Sequence, residues 1–242
     1  MVKGLQLSFF LRMSRGCCRV SVQNRRMPEA ALTQPPPLPD APAPAPPVRL
    51  QGLPPVVSAG TVVLVLGSFP GAASLRLRQY YAHPQNHFWK ILQALWPQHP
   101  LPPAGAEGYA ARCDWLLARG LGLWDVYESC EREGSLDTSI RNAQVNDFAR
   151  LQAVCPQLAA VAHNGGESFK HAPAVLGSFR PPRAAAHDDV LSDQRVGTGS
   201  GPGSARSIAS HRLPSTSPAN ASWSFERKLA AWADLMAAHR LL

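Results

Sequence analysis

Tyr81, His83 and Asn86 stand close together in the stretch QYYAHPQNHFW, which follows a Gly-Ser-Phe-Pro-Gly turn at Gly67 to Gly71. An aromatic ring such as Tyr81 can stack on a nucleobase, and a fixed amide such as Asn86 can orient water or read a base edge. His83 could donate a proton or serve only as a loop hydrogen-bonder. In the turn, Gly67 and Gly71 let the backbone amides around Ser68 and Phe69 face an anionic or planar ligand, while Pro70 stiffens the curve. An ordinary strand-to-helix turn has the same composition. No Walker lysine follows and GxGxxG is not satisfied, so a phosphate loop and a dinucleotide fingerprint are both excluded.

Further along, LPSTSPAN packs short polar side chains between two prolines: Leu213, Pro214, Ser215, Thr216, Ser217, Pro218 and Asn220. Small hydroxyls with accessible backbone amides suit phosphate contact, and the prolines hold the loop's shape. The same stretch could instead lead into a helix, with Ser222 or Ser224 as its cap. One carboxylate, Asp125 in GLWDV, falls near these groups as either a site residue or a helix cap.

Positioning these groups requires strands that end where they begin. The run Val62 to Leu66 is short, apolar and β-branched, as in the interior strand of a parallel sheet. Helices are expected where apolar residues recur at helical spacing: Phe88, Ile91, Leu92, Leu95 and Trp96; Gly108 to Ala118; a segment capped by Asn146 that buries Phe148, Leu151 and Val154; and Ser224 to Arg240. Phe88 and Trp89 therefore read as core. Strand ends are expected at GLWDV and at Leu158 to Ala162, which runs into HNGG. Alternating strands and helices predict a layered α/β/α domain, in which ligands sit beyond the carboxyl ends of the strands. Gly67 to Gly71, His163 to Glu167 and Leu213 to Asn220 all fall there, so the three converge on one site.

Composition sets the boundaries. The chain has 242 residues, 45% of them apolar, enough for one sizeable core. Residues 1–26 carry Lys3, Arg12, Arg15, Arg19, Arg25 and Arg26 with no acidic residue, leaving only about +2 of the net +8 for the remainder. Bulk basicity therefore says little about the folded part. This leader reads as a targeting segment or an overlong start, with Met27 an alternative start. Thr33 to Pro55 is rich in proline and alanine and is expected to be an extended tail, so the domain is placed at 56–242. Five cysteines, an odd number in which only Cys17 and Cys18 are adjacent and Cys113, Cys130 and Cys155 are widely spread, argue against a disulfide framework and a zinc site, in keeping with a reduced compartment. The expected setting is a cytoplasmic monomer away from membranes.

GSFPG, QYYAHPQNHFWKIL, GLWDVYESCEREGSLDTSI, HNGG and LPSTSPANA, in that order, resemble the hypoxanthine-DNA glycosylase branch of the uracil-DNA glycosylase superfamily. The resemblance covers roughly Val62 to Trp232. It implies a central, mostly parallel four-stranded sheet between helices, no metal or cofactor, and DNA containing deaminated bases as partner. The implied activity is monofunctional hydrolysis of the N-glycosidic bond of deoxyinosine to release hypoxanthine. In the superfamily's first motif a polar group often orients water where this chain has Phe69; the resemblance moves the catalytic amide to Asn86 and stacks Tyr81 on the flipped base. Gly67, Ser68, Phe69, Pro70, Gly71, Tyr81 and His83 would form the base pocket, and Leu213 to Asn220 the loop that pinches DNA. Leu213 replaces the usual histidine of the best-known uracil enzymes. A Gly, Ser and Arg-rich stretch at 181–210 departs from the pattern and reads as a flexible insertion that either touches DNA or weakens the last strand. Other uracil or mismatch activity, a noncatalytic damaged-DNA binding role and a free-nucleotide hydrolase are the alternatives.

Overall fold

The computed structural model describes residues 48–179 and 207–242. Strand β1 (Arg49–Gln51) precedes β2 (Val63–Gly67), and helices α1 (Ala72–Leu77), α2 (Phe88–Leu95) and α3 (Ala106–Leu117) follow. Next come β3 (Leu121–Asp125), β4 (Tyr127–Glu131), β5 (Arg141–Val145) and the short α4 (Leu151–Val154). The remaining elements are β6 (Ala160–Asn164), α5 (Gly166–Phe169), α6 (Ala172–Ser178), β7 (Ala209–Leu213) and α7 (Phe225–Ala238).

The β-branched run becomes β2, an interior strand of a four-stranded sheet in the order β3-β2-β6-β7, with every pairing parallel. Both faces of β2 are covered, which is why it reads as continuously apolar. Val63 and Val65 face one layer, where Phe88, Ile91 and Leu92 of α2 meet Trp232, Leu235 and Met236 of α7. Leu64 and Leu66 face the other, against Phe148, Leu151 and Val175. The expected three-layer α/β/α architecture is therefore present, and its four-stranded sheet is wholly parallel. Full burial of each large apolar side chain contributes roughly 1.5–3 kcal/mol, so these two layers hold the sheet that carries the site.

Two expectations about the chain's ends change. Arg49–Gln51, assigned to the extended tail, pairs antiparallel with Glu131, Cys130 and Ser129 of β4, and Leu53 is buried. Between Pro47 and Pro54 the residues keep their amide hydrogens, so a ladder can form there despite the surrounding prolines. The folded part thus begins before 56. At the other end, β7 starts at Ala209, inside the stretch read as an insertion, and pairs with β6 residue by residue from Ala160 to Asn164. The last strand leads directly into LPSTSPAN. Residues 1–47, including Cys17 and Cys18, and 180–206 lie outside the described residues, whereas Cys113, Cys130 and Cys155 are free thiols.

Beyond the parallel sheet, β1, β4 and β5 form a separate three-stranded antiparallel sheet that periodicity does not announce. The helical segment after it is capped by Asp147, whose Oδ1 accepts from the Ala149 amide, rather than by Asn146. Asn146 instead donates to the Asp125 carbonyl, and Val154 is exposed. Ser224 caps α7 as expected, accepting from the Arg227 amide.

Candidate active site

Gly67 and Asp125 are partners across β2 and β3, and Asn164 and Leu213 across β6 and β7, so all four strands finish at one edge of the sheet. A cavity of about 620 Å³ opens there. Gly67 to Gly71, Tyr81, His83 and Asn86 line it, as do Ser215 to Asn220. Of the three segments expected to converge, Gly67 to Gly71 lines the cavity throughout, Leu213 to Asn220 from Ser215 onward, and His163 to Glu167 through Asn164 alone. Leu213 and Pro214 are not in the lining: Leu213 ends β7 and is packed in the core, so it is not a loop contact.

Backbone bonds fix the turn. The Gly67 and Ser68 carbonyls accept from the Val126 and Tyr127 amides, at 2.9 and 3.0 Å, tying the turn to the connection after β3. Arg132 donates to the Pro70 carbonyl and lies over the Phe69 ring, which is buried. The Ser68 hydroxyl donates to Asp137, 2.6 Å away, and Ser135 accepts from the Ala72 amide; Ser135 to Thr138 form one cavity wall.

Asn86 sits just ahead of α2. Its Oδ1 accepts from the Phe88 amide at 2.9 Å, so the side chain caps the helix and is oriented by it. One lone pair of Oδ1 and both Nδ2 hydrogens are left for other partners. His83 is exposed on the rim, its Nδ1 accepting from the Gln85 amide. Tyr81 adopts φ 54°, a left-handed conformation that costs a non-glycine residue about 1–2 kcal/mol. Its ring stacks on Phe88 at 4.0 Å between centroids and 26° between planes, which holds it in place.

The Ser215 to Asn220 loop is anchored from three elements. Asn164 donates Nδ2 to Thr216 Oγ1 and accepts from the Thr216 amide, both at 2.9 Å. The Thr216 carbonyl accepts from the His87 amide, and the buried Lys228 of α7 donates to the Asn220 carbonyl at 3.0 Å. Gly165, at φ 119°, permits this closeness, since a Cβ there would meet Ser215 at 3.1 Å. Thr216→Val removes the acceptor of the buried Asn164 Nδ2, while Asn164 Oδ1 keeps the residue-216 amide. We expect a loss of about 1–3 kcal/mol, read as a lower urea midpoint at unchanged m-value.

Asp125 stands on the cavity floor at the end of β3, not on a helix cap. It is 4% exposed, and its Oδ2 has no hydrogen-bond partner among the described residues. Burial pushes its carboxyl up to about 7; Arg132 opposes the shift and Asp137 adds to it. The Tyr81 hydroxyl is likewise buried, with no partner in good hydrogen-bond geometry; burial and Asp125 hold it well above the ordinary tyrosine value, and the nearby Asn164 amide opposes the shift. Asn164 lies in the expected His163 to Glu167 segment but was not named for a role, and the Ser135 to Thr138 wall was not singled out from sequence, although GSLDTSI contains it. Their position at a strand end and in a shared motif was the available signal.

Residues 54–236 match the sequence model of the uracil DNA glycosylase superfamily. A protein named hypoxanthine DNA glycosylase from Methanosarcina barkeri is 37% identical over 126 residues, 52% of this chain and 77% of that protein. One of the same name from Methanosarcina acetivorans is 33% identical over 127 residues, 52% of this chain and 78% of its own length. A G/U mismatch-specific uracil DNA glycosylase of Schizosaccharomyces pombe is 30% identical over 105 residues, 43% of this chain and 30% of that protein. A solution NMR structure of a proposed uracil DNA glycosylase from Methanosarcina acetivorans superposes with a TM-score of 0.58 at 26% identity. That likeness covers 80% of this chain and 99% of the other.

Proposed function

We propose that this chain, which belongs to the uracil DNA glycosylase superfamily, hydrolyses the N-glycosidic bond of deoxyinosine in DNA and releases hypoxanthine. The observation that carries the reading is the single cavity at the carboxyl ends of the parallel strands, where the turn, the Asn86 loop and the Ser215 to Asn220 loop meet. A nucleobase reaches such a cavity only when its nucleotide is flipped out of the stack, at a cost of a few kcal/mol. The Ser215 to Asn220 loop, held rigid by Asn164, His87 and Lys228, is suited to press on the backbone beside the flipped nucleotide.

The chemistry follows from where charge develops. As C1′–N9 breaks, its electron pair stays on the base and positive charge builds on the sugar; water then adds to C1′ and loses a proton to solvent, and the departing base takes up a proton from solvent to leave as neutral hypoxanthine. Such a reaction needs charge stabilisation more than an activated nucleophile. Asn86 cannot take a proton at neutral pH, so its part is to hold the water or the departing base through the amide groups that the helix cap leaves over. Among the described residues no lysine lines the cavity, which supports water rather than an amine as the nucleophile and hence monofunctional hydrolysis.

A duplex oligonucleotide with one deoxyinosine, incubated with the protein and then heated in alkali, should be cut at that position. The same duplex carrying uracil, or thymine opposite guanine, sets the range. Cleavage at those sites with none at deoxyinosine would assign the chain to another activity of the superfamily. We further take the protein to be a cytoplasmic monomer; light scattering coupled to gel filtration checks the oligomeric state. Among the described residues no helix is long and apolar enough to cross a membrane.

A further inference from the structure

Among the described residues two carboxylates line the cavity, and they differ in access: Asp125 is buried in the floor, whereas Asp137 is exposed on the wall. Asp137 opens the short helical turn Asp137–Ser139, and its carbonyl accepts from the Ile140 amide. Two bonds draw this wall onto the Gly67 to Gly71 turn. Ser135 Oγ accepts from the Ala72 amide at 2.9 Å, and the Ser68 hydroxyl donates to Asp137 Oδ1 at 2.6 Å, the length of a hydroxyl bonded to an ionised carboxylate. One oxygen of Asp137 is thereby fixed. No other side chain or amide of the described residues donates to the carboxylate, so Oδ2 is left free beside the cavity. Phe69, next along the turn, is buried beneath Arg132 and brings no polar group there.

We propose that the Asp137 carboxylate is a catalytic group of the excision reaction, the anion that faces the positive charge building on the sugar as the glycosidic bond breaks. This rests on the glycosylase reading above and deepens it. With the base against the strand ends, the sugar lies toward the entrance, on the side that the exposed residues of the Ser135 to Thr138 wall line. No lysine or arginine lines the cavity among the described residues, so this accessible carboxylate sets the sign of the local field. The brace to Ser68 needs only an acceptor, which a neutral amide supplies as well; charge and brace are therefore separable. The charge itself opposes the binding of a polyanion and favours the one cationic species on the reaction path. Nothing covalent passes to Asp137: water still adds to C1′ and its proton still leaves to solvent.

Desolvation raises the Asp137 carboxyl; the Ser68 bond opposes this, Glu167 adds to it, and Arg132 and Lys170 oppose it. Asp125 is a further titrating neighbour, whereas burial keeps Tyr127 and Cys130 neutral. Asp137→Asn retains an acceptor for Ser68 and removes the charge. At pH 8, where the wild-type carboxyl is ionised, single-turnover release of hypoxanthine from a deoxyinosine duplex should slow roughly 100-fold in this variant. Its affinity for the non-cleavable 2′-fluoro deoxyinosine duplex should stay within about twofold or tighten, since one negative charge facing DNA is gone. Lowering the pH from 8 to 5 should shrink the ratio of the two rates, because protonation neutralises the wild-type carboxyl and leaves the amide unchanged; Asp125, present in both proteins, enters both rates. A ratio near one at pH 8 overturns the proposal. So does a large ratio that is independent of pH, or affinity lost in step with the rate, either of which would mean that Asp137 acts only through shape. Wild-type activity separates this proposal from the reading beneath it: release by the wild type with an equally fast Asp137→Asn variant sinks the role of Asp137 alone, whereas no release from deoxyinosine, uracil or mismatched-thymine duplexes sinks the glycosylase assignment itself.

Discussion

Replacing Asn86 by alanine should slow release of hypoxanthine by roughly 100- to 1,000-fold in single-turnover assays, the usual consequence of removing one preorganised polar group from a site where charge develops. Asn86 has a second role that complicates this experiment. Its Oδ1 caps α2, the helix that brings Phe88, Ile91 and Leu92 to the core, and loss of a cap costs about 1 kcal/mol. Asn86→Ser separates the two. A serine hydroxyl can still accept from the Phe88 amide, so thermal stability should stay close to the wild type. It has no amide to hold a water or a base, so the rate should fall as far as in the alanine variant. If activity instead follows the melting temperature across the two variants, Asn86 acts by shaping the helix start and the chemistry belongs elsewhere.

The division between what the sequence discloses and what it conceals follows from whether a property is local. β2 was legible because a strand covered on both faces must be apolar at every position, and α2 and α7 because their stripes recur at helical spacing. The three site segments were legible because turn residues and polar clusters fall where those elements stop. By contrast, β5 exposes all five residues of RNAQV and has no alternation to reveal it. β1 is hidden among prolines and becomes a strand only because β4, some 80 residues later, offers it an edge. The site divides along the same line. Asn86 and Tyr81 could be named from residue type, but that Thr216 consumes both ends of Asn164, and that Asp125 Oδ2 and Tyr81 Oη are left over, are facts of tertiary packing. Leu213 shows the converse error, since a motif boundary drawn on sequence takes in a core residue.

Asp125→Asn should stabilise the protein increasingly as pH rises. The sign follows from where the carboxyl titrates. Its pKa is raised to about 7 in the folded protein, above the ordinary value of about 3.9 that applies on unfolding. The folded state therefore binds this proton more tightly, and stability is greatest below the unfolded value. It is lost progressively as pH climbs from about 4 through about 7, by an amount on the order of 4 kcal/mol if the whole shift is expressed. Asparagine has nearly the same shape and no charge to desolvate, so it escapes that loss. It does leave an unpaired amide in the floor, a constant offset of about 1–3 kcal/mol at every pH. The informative quantity is accordingly the change in the gap between the two proteins, measured by urea unfolding at pH 5, 6, 7 and 8. Other titrating groups, such as the buried His163, are common to both and cancel. A gap that moves steadily in favour of asparagine is the expected result, and a gap independent of pH would mean that Asp125 is not buried as a titrating acid. An amide of the same size, free of that desolvation, would then fold more stably than the carboxylate at neutral pH and above, and the gap measures by how much.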